Sequence, residues 1–190
     1  MKTTTKKSFS SKGIFPHQWA FTLLFPLRNL VLSPAKLIKR MQLSPEMNVL
    51  EVGPGPGYFS VPVAKYLSRG SLVLADIQPE MLKKAGKRIE KRQLRNVDFY
   101  QCDGQKFNLP ENHFDRIFMV TVLGEVENRE LYLSEFYRML KSGGLLSVSE
   151  QAGDPDKLSI EEIKQLAQNC GFIFDELFGN KNNYTINFRK

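Results

Sequence analysis

The chain has 190 residues, a formal net charge of +7, 42% hydrophobic and 25% charged residues. That length suits one domain able to bury its own core, and the composition is ordinary for a globular protein. Two cysteines, Cys102 and Cys170, and two histidines, His17 and His113, exclude a disulfide framework and give no metal-ligand spacing, so no metal is expected. The cysteines read as small buried hydrophobes.

Charge is unevenly spread. Residues 1–42 hold eight Lys or Arg and no acid, leaving nineteen basic against twenty acidic residues for the remainder. The basicity therefore belongs to the front of the chain, which argues against a nucleic-acid surface covering the whole protein. Residues 1–13 read as a disordered basic tail. The run Ile14–Leu32 is interrupted by Pro16, His17, Gln18, Pro26, Arg28 and Asn29, which is too polar to span a bilayer. The two prolines also break a signal-peptide pattern, so cytoplasmic residence is expected. Residues 14–46 read as a helical, lid-like segment in two pieces, with Ser33 capping the second.

From Met47 onward, apolar strand-like runs alternate with amphipathic helical ones, the pattern of a parallel sheet covered on both faces. Strands are predicted at Asn48–Val52, Ser71–Ile77, Val97–Cys102, Asp115–Val120 and Leu145–Gln151. Helices are predicted at Tyr58–Ser68, Pro79–Arg92, Arg129–Leu140 and Ser159–Asn169, the last opened by a capping box of Ser159 and Glu162. The connection Asp103–Phe114 is too turn-rich for a full helix. Gly143-Gly144 and Gly171 punctuate the returns from helix to strand. Phe172–Phe178 and Tyr184–Arg189 lie too close for a crossover helix, so they must pair as an antiparallel hairpin. The expected fold class is α/β: a Rossmann-like, seven-stranded, mostly parallel sheet with an antiparallel C-terminal hairpin and helices on both faces.

The most specific stretch is Glu51-Val52-Gly53-Pro54-Gly55-Pro56-Gly57-Tyr58. It follows a strand and opens a helix, the setting in which a glycine loop holds a nucleotide-like ligand. A dinucleotide fingerprint would place the third glycine one position later, where this chain has Tyr58. Asp76 ends the next strand, 23 residues after Gly53, where a carboxylate can accept both hydroxyls of a ribose. Asp103 ends the third strand, in Cys102-Asp103-Gly104. Glu51, Asp76 and Asp103 are all expected to project from carboxyl ends of strands into one crevice.

These motifs, EVGPGPG, the acid of LADIQPEML, the Asp of QCDG and the strand DRIFMVTV, resemble those of class I S-adenosylmethionine-dependent methyltransferases. The similarity runs from about Met47 to the C-terminus, and Leu140-Lys141-Ser142-Gly143-Gly144-Leu145-Leu146 gives it the style of ubiquinone/menaquinone-biosynthesis (methyltransferase type 11) enzymes. The resemblance implies a methyltransferase domain over 47–190, S-adenosyl-L-methionine as cofactor and S-adenosyl-L-homocysteine as product. By position it implies that Gly53, Gly55 and Gly57 pass beneath the methionine portion and ribose, with Glu51 and Gly104 at the same site. Asp76 would hold the ribose, Ile77 would lie against adenine, Asp103 would accept from the adenine amino group, and Thr121 would edge the methionine end. The plainer readings are a strand-end carboxylate for Asp76 and an Asx cap before Gly104 for Asp103.

No catalytic base announces itself. Glu125, in Leu123-Gly124-Glu125-Val126, and His17, among Phe15, Trp19 and Phe21, are the candidates. Both have a plain alternative: a solvated loop acid and a packing histidine. Relatives often carry a histidine where this chain has Gly124. An Asn/Asp-Pro-Pro-Tyr motif of nucleic-acid adenine methylation is missing after the fourth strand, as are the cysteines of arsenic methylation. A small or lipophilic acceptor is expected from the Phe-, Trp- and Leu-rich front segment. Competing readings are RNA, protein or anionic-membrane engagement through residues 1–42, and a non-catalytic module binding the cofactor or its product. A nicotinamide oxidoreductase conflicts with the glycine spacing and the hairpin.

Overall fold

The computed structural model describes residues 32–190. The expected tail over 1–13, the lid segment up to residue 31 and His17 lie outside the described residues. Seven strands form one sheet in the order β3-β2-β1-β4-β5-β7-β6. They are β1 (Asn48–Val52), β2 (Ser71–Asp76), β3 (Val97–Gln101), β4 (Phe114–Val120), β5 (Leu140–Glu150), β6 (Ile173–Asn180) and β7 (Asn183–Arg189). The first five pair in parallel, while β7 runs antiparallel to both β5 and β6. The described helices are α1 (Pro34–Arg40), α2 (Ser60–Tyr66), α3 (Pro79–Lys91), α4 (Arg129–Met139) and α5 (Ile160–Asn169).

The two faces of the sheet carry separate cores, because alternate residues of each strand point to opposite sides. Leu37 of α1, Val63 and Ala64 of α2 and Ala85 and Ile89 of α3 pack on Val49, Leu72, Leu74 and Phe118. On the other face Leu133 and Phe136 of α4 and Ile163 and Ala167 of α5 pack on Leu50, Ile117, Met119, Val148 and Ile186. The strands thus read as near-continuous apolar runs, as a doubly covered sheet requires.

Local signals account for the helix ends. The Ser33 hydroxyl accepts from the Lys36 amide at 3.3 Å, with Pro34 pre-set at the first helical position. At α5 the capping box of Ser159 and Glu162 is closed in both directions, at 3.2 and 2.8 Å. Residues 103–113 hold no helix. Phe107 instead plugs the core, its ring 5.1 Å from Tyr132 and 5.5 Å from Phe136. Its amide donates to Glu135, and its carbonyl accepts from Arg138.

Three expectations need correction. Gly143-Gly144 are not a helix-to-strand return: α4 passes directly into β5 at Leu140, and the glycines lie inside that strand, where the register with β4 shifts. The glycine at φ +72 there carries an irregularity that a helix-end reading mistook for a cap. The hairpin loop is shorter than the five residues expected, because pairing continues to Asn180↔Asn183. The Asn180 side chain accepts from the amides of Asn182 and Asn183, which closes the turn. Cys170 is half-buried rather than buried, its thiol directed at the Glu130 carbonyl; Cys102 is buried as expected.

Candidate active site

The register brings the expected residues to one edge of the sheet. Val52 at the end of β1 pairs with Ala75 of β2 on one side and Met119 of β4 on the other, while Asp76 pairs with Gln101 of β3. The glycine loop, Asp76-Ile77, Cys102-Asp103-Gly104 and Thr121 therefore emerge side by side at the carboxyl ends, where open α/β sheets bind ligands.

The loop leaves β1 through Gly53, whose amide donates to the Ala75 carbonyl at 2.8 Å. A Cβ at Gly53 would stand 2.5 Å from the Val122 side chain, and φ is +65°. Gly57 has φ +83°, and a Cβ there would press to 3.2 Å on Ala85 of α3. Gly53 demands glycine sterically as well as conformationally, and Gly57 conformationally, with a tight contact besides. Thr121 adopts φ +56° directly after β4, an uncommon state for a branched residue. It is held by its amide donating to Ser149 and its hydroxyl to the Val120 carbonyl.

The acids divide by environment. Asp76 is 8% exposed and accepts the Gln78 amide at 2.9 Å. Burial pushes its carboxyl up to about 6, the amides of Gln78, Gly55 and Ile77 offsetting part of that. Glu51 is 3% exposed, and its Oε2 has no hydrogen-bond partner. Burial pushes it up to about 8, with the Ser60 hydroxyl opposing and the Asp76 charge adding. Asp103 differs: it is exposed, and its Oδ1 accepts the Gln105 amide at 2.9 Å, the Asx cap of the plainer reading. Ile77 and Gly104 face each other, 3.9 Å separating the Ile77 methyl from where a Gly104 Cβ would be.

Beyond β4 a 3-10 turn, Leu123–Glu125, brings Glu125 toward the same edge. Gly124 lies against the Asp156 carbonyl with no room for any side chain, so a histidine cannot stand here without the loop after β5 moving. Arg129 clamps the turn by donating to the carbonyls of Leu123 and Gly124 at 3.1 and 2.8 Å. His113 is half-buried, edge-on to Phe114 with centroids 4.9 Å apart, at the far end of β4. It is not brought to the crevice.

Glu150, the last residue of β5, is the residue that sequence reasoning missed. It is 1% exposed, and neither carboxylate oxygen has a hydrogen-bond partner. Burial pushes it up to about 8; Asp154 and Glu125 add to the effect, and Lys157 and Arg129 oppose it. Its signal was the one that marked Asp76, an acid closing an apolar strand.

Comparison with known proteins fits this geometry. A family model described as a methyltransferase domain matches residues 50–148, just over half of the chain. The chain belongs to this family. It is a class I methyltransferase-domain protein whose cofactor is S-adenosyl-L-methionine. Its sequence is 36% identical over 133 residues to the ubiquinone/menaquinone biosynthesis C-methyltransferase UbiE of Pseudomonas fluorescens, covering 69% of this chain and 50% of that one. The chain thus spans about half the length of that relative. In fold it is similar to a SAM-dependent methyltransferase of Aquifex aeolicus, at TM-score 0.86 and 24% identity over 92% of this chain and 98% of that one. It is also similar to phosphoethanolamine N-methyltransferase 2 of Haemonchus contortus, solved with S-adenosyl-L-methionine, at TM-score 0.71 and 18% identity over 92% and 56%. The residues present suit that cofactor: a bare glycine backbone, a buried strand-end carboxylate at Asp76 for a diol, and an orphaned buried oxygen on Glu51.

Proposed function

We propose that the protein transfers a methyl group from S-adenosyl-L-methionine to a small, lipophilic acceptor, in the cytoplasm. The observation that carries this reading is the convergence of Gly53, Gly55, Gly57, Asp76 and Thr121 at adjacent strand ends. When bound, the cofactor supplies a methyl group activated by its own sulfonium leaving group. The chain's task is orientation, which can contribute much of the rate of an in-line displacement. Asp76 accepts the ribose hydroxyls, and the bare backbone of Gly53, Gly55 and Gly57 carries the ribose and methionine portion. Ile77 and Gly104 flank the adenine, Asp103 meets its edge, and Glu51 takes up a polar group through its free oxygen. Thr121 presents backbone to the methionine end. Glu125 is the carboxylate assigned to the acceptor side, where it can hold an acceptor hydroxyl or take its proton. UbiE is named for quinone biosynthesis and carbon methylation, which favours a reduced quinone-like acceptor.

The test is release of S-adenosylhomocysteine with a reduced short-chain naphthoquinone as acceptor, beside a single-stranded RNA and a denatured protein. Turnover with the quinol alone supports the proposal, and turnover with RNA or protein alone overturns its acceptor class. A second reading is a non-catalytic binder of the cofactor or its product, favoured by the sealed space at Gly124. Cofactor binding without turnover on any acceptor supports that reading.

A further inference from the structure

The charge of residues 47–190 nearly cancels in sum, but not in space. Residues 83–95 hold seven cations, Lys83, Lys84, Lys87, Arg88, Lys91, Arg92 and Arg95, against the single acid Glu90. Helix α3 buries Met81, Leu82, Ala85 and Ile89 in the core, which turns the cations outward. Arg88 and Arg92 lie one turn apart and reach toward α2, where Lys65 stands. Between them is a groove of about 320 Å³ lined by Pro34, Tyr58, Val61, Pro62, Lys65, Arg88 and Arg92. Its floor is apolar, its rim holds three cations and no acid, and the Arg88 Nε is without a hydrogen-bond partner. Tyr58 follows the glycine loop directly, while Lys65, Arg88 and Arg92 lie at the C-terminal ends of α2 and α3, toward the amino ends of the strands. Two exposed aromatic side chains lie outside the groove lining: Tyr66, 40% exposed, whose hydroxyl donates to the Leu43 carbonyl, and Phe99, 45% exposed, against the Gly86 flank of α3.

We propose that this groove and the cationic side of α3 form a docking surface for an anionic lipid bilayer, a headgroup phosphate resting among Lys65, Arg88 and Arg92. The charge complementarity is direct, and the guanidinium forks suit phosphate oxygens. An apolar floor beneath a cationic rim matches the layering of an interface, where aromatic residues also settle. Within the groove, a single-stranded nucleic acid would lack open aromatic faces for its bases. Tyr58 is packed edge-on with Phe59 at 4.8 Å, and the rest of the floor is Pro and Val. This inference stands on the groove and is independent of the proposed acceptor.

The experiment is sedimentation of the full-length protein with phosphatidylcholine vesicles, with and without phosphatidylglycerol, at low and high salt. Binding is expected only with phosphatidylglycerol and to weaken with salt. A Lys65→Gln/Arg88→Gln/Arg92→Gln variant should lose about a hundredfold in partitioning, at roughly fivefold per cation near an anionic surface. The charge-keeping Lys65→Arg/Arg88→Lys/Arg92→Lys variant should retain binding, and calorimetric titration with S-adenosylhomocysteine confirms that each variant is folded. A matched control, Lys106→Gln/Lys164→Gln/Lys181→Gln, removes three cations elsewhere and should bind as the parent does. Equal binding by the parent and the groove variant, or equal loss in the groove variant and the control, overturns the proposal. Retention of a single-stranded RNA without vesicle binding also overturns it.

Discussion

At the scale of single residues, the site is defined by carboxyls that burial holds partly protonated. Glu51 and Glu150, each pushed up to about 8, sit at two ends of the same strand edge. A carboxyl whose folded value lies above its unfolded one binds protons more tightly in the folded chain. Its stabilising contribution is full below about 4.5 and is lost as pH rises through about 8. The ligand-free protein should therefore melt at a lower temperature at pH 8.5 than at pH 5.5, with Glu51 and Asp76, also raised by burial, acting in the same direction. Glu150→Gln, which keeps the neutral shape, should reduce that difference, as read by thermal denaturation across the pH range. An unchanged pH slope in the variant would mean that Glu150 is ionised and paired in solution. Asp76 and Glu150 illustrate what the sequence disclosed and what it hid. Asp76 could be found because it stands at a fixed interval after a glycine loop. Glu150 has the same strand-end position but no neighbouring motif, and its isolation from partners exists only in three dimensions. The sequence singles out Asp103 as the acid ending the third strand, but that strand closes two residues earlier at Gln101; the acid's exposure and its bond to the Gln105 amide depend on the chain's path after β3.

At the scale of elements, helix and strand order was legible because burial on both faces gives long apolar runs and the caps are explicit at Ser33 and Ser159. What escaped was the junction of α4 with β5, where two glycines mimic a helix stop while lying within the strand. The anchoring of α1 was equally invisible, because it depends on residues about 75 and 145 positions away. Arg116 of β4, 7% exposed, donates to the carbonyls of Met41 and Gln42 at 2.7 and 3.2 Å. Asn187 of β7 donates to the Arg40 carbonyl at 2.7 Å, and Arg40 to the Thr185 hydroxyl at 2.8 Å. The C-terminus of α1 is thus tied to two strands. Arg116→Leu leaves the buried Met41 carbonyl unmet, which costs about 1–3 kcal/mol. A loss of about 1–3 kcal/mol in urea unfolding is expected, against little change for the exposed Lys106→Leu. Equal effects of the two substitutions would show that the clamp adds nothing.

At the scale of the whole molecule, strand order governs function. Placing β1 between β2 and β4 brings together residues 69 positions apart, Gly53 and Val122, beside the turn that Arg129 clamps. The same order sends α1, α2 and α3 to one face, which concentrates cations that look balanced when the chain is read as a total. Net charge along the sequence could reveal the basic front, but only the packing of α3 shows which cations share a surface. Among the described residues no helix is long and apolar enough to cross a membrane. The bilayer contact proposed above is one of surface charge and shallow apolar contact at the groove.

The central claim, that this crevice holds S-adenosyl-L-methionine through Asp76, is tested most directly by calorimetric titration of the full-length protein with that ligand. The titrations should be run at pH 7.5 and at pH 5, beside an Asp76→Ala variant and a parallel titration with NADH. The account predicts saturable binding at pH 7.5 and weaker binding at pH 5, where protonation near pH 6 removes the charged acceptor. It also predicts at least a tenfold loss in the variant, since two hydrogen bonds to a charged group are worth about 3 kcal/mol or more together, and no binding of NADH. Binding of S-adenosyl-L-methionine that is equally tight in Asp76→Ala, or saturable binding of NADH in its place, would contradict it.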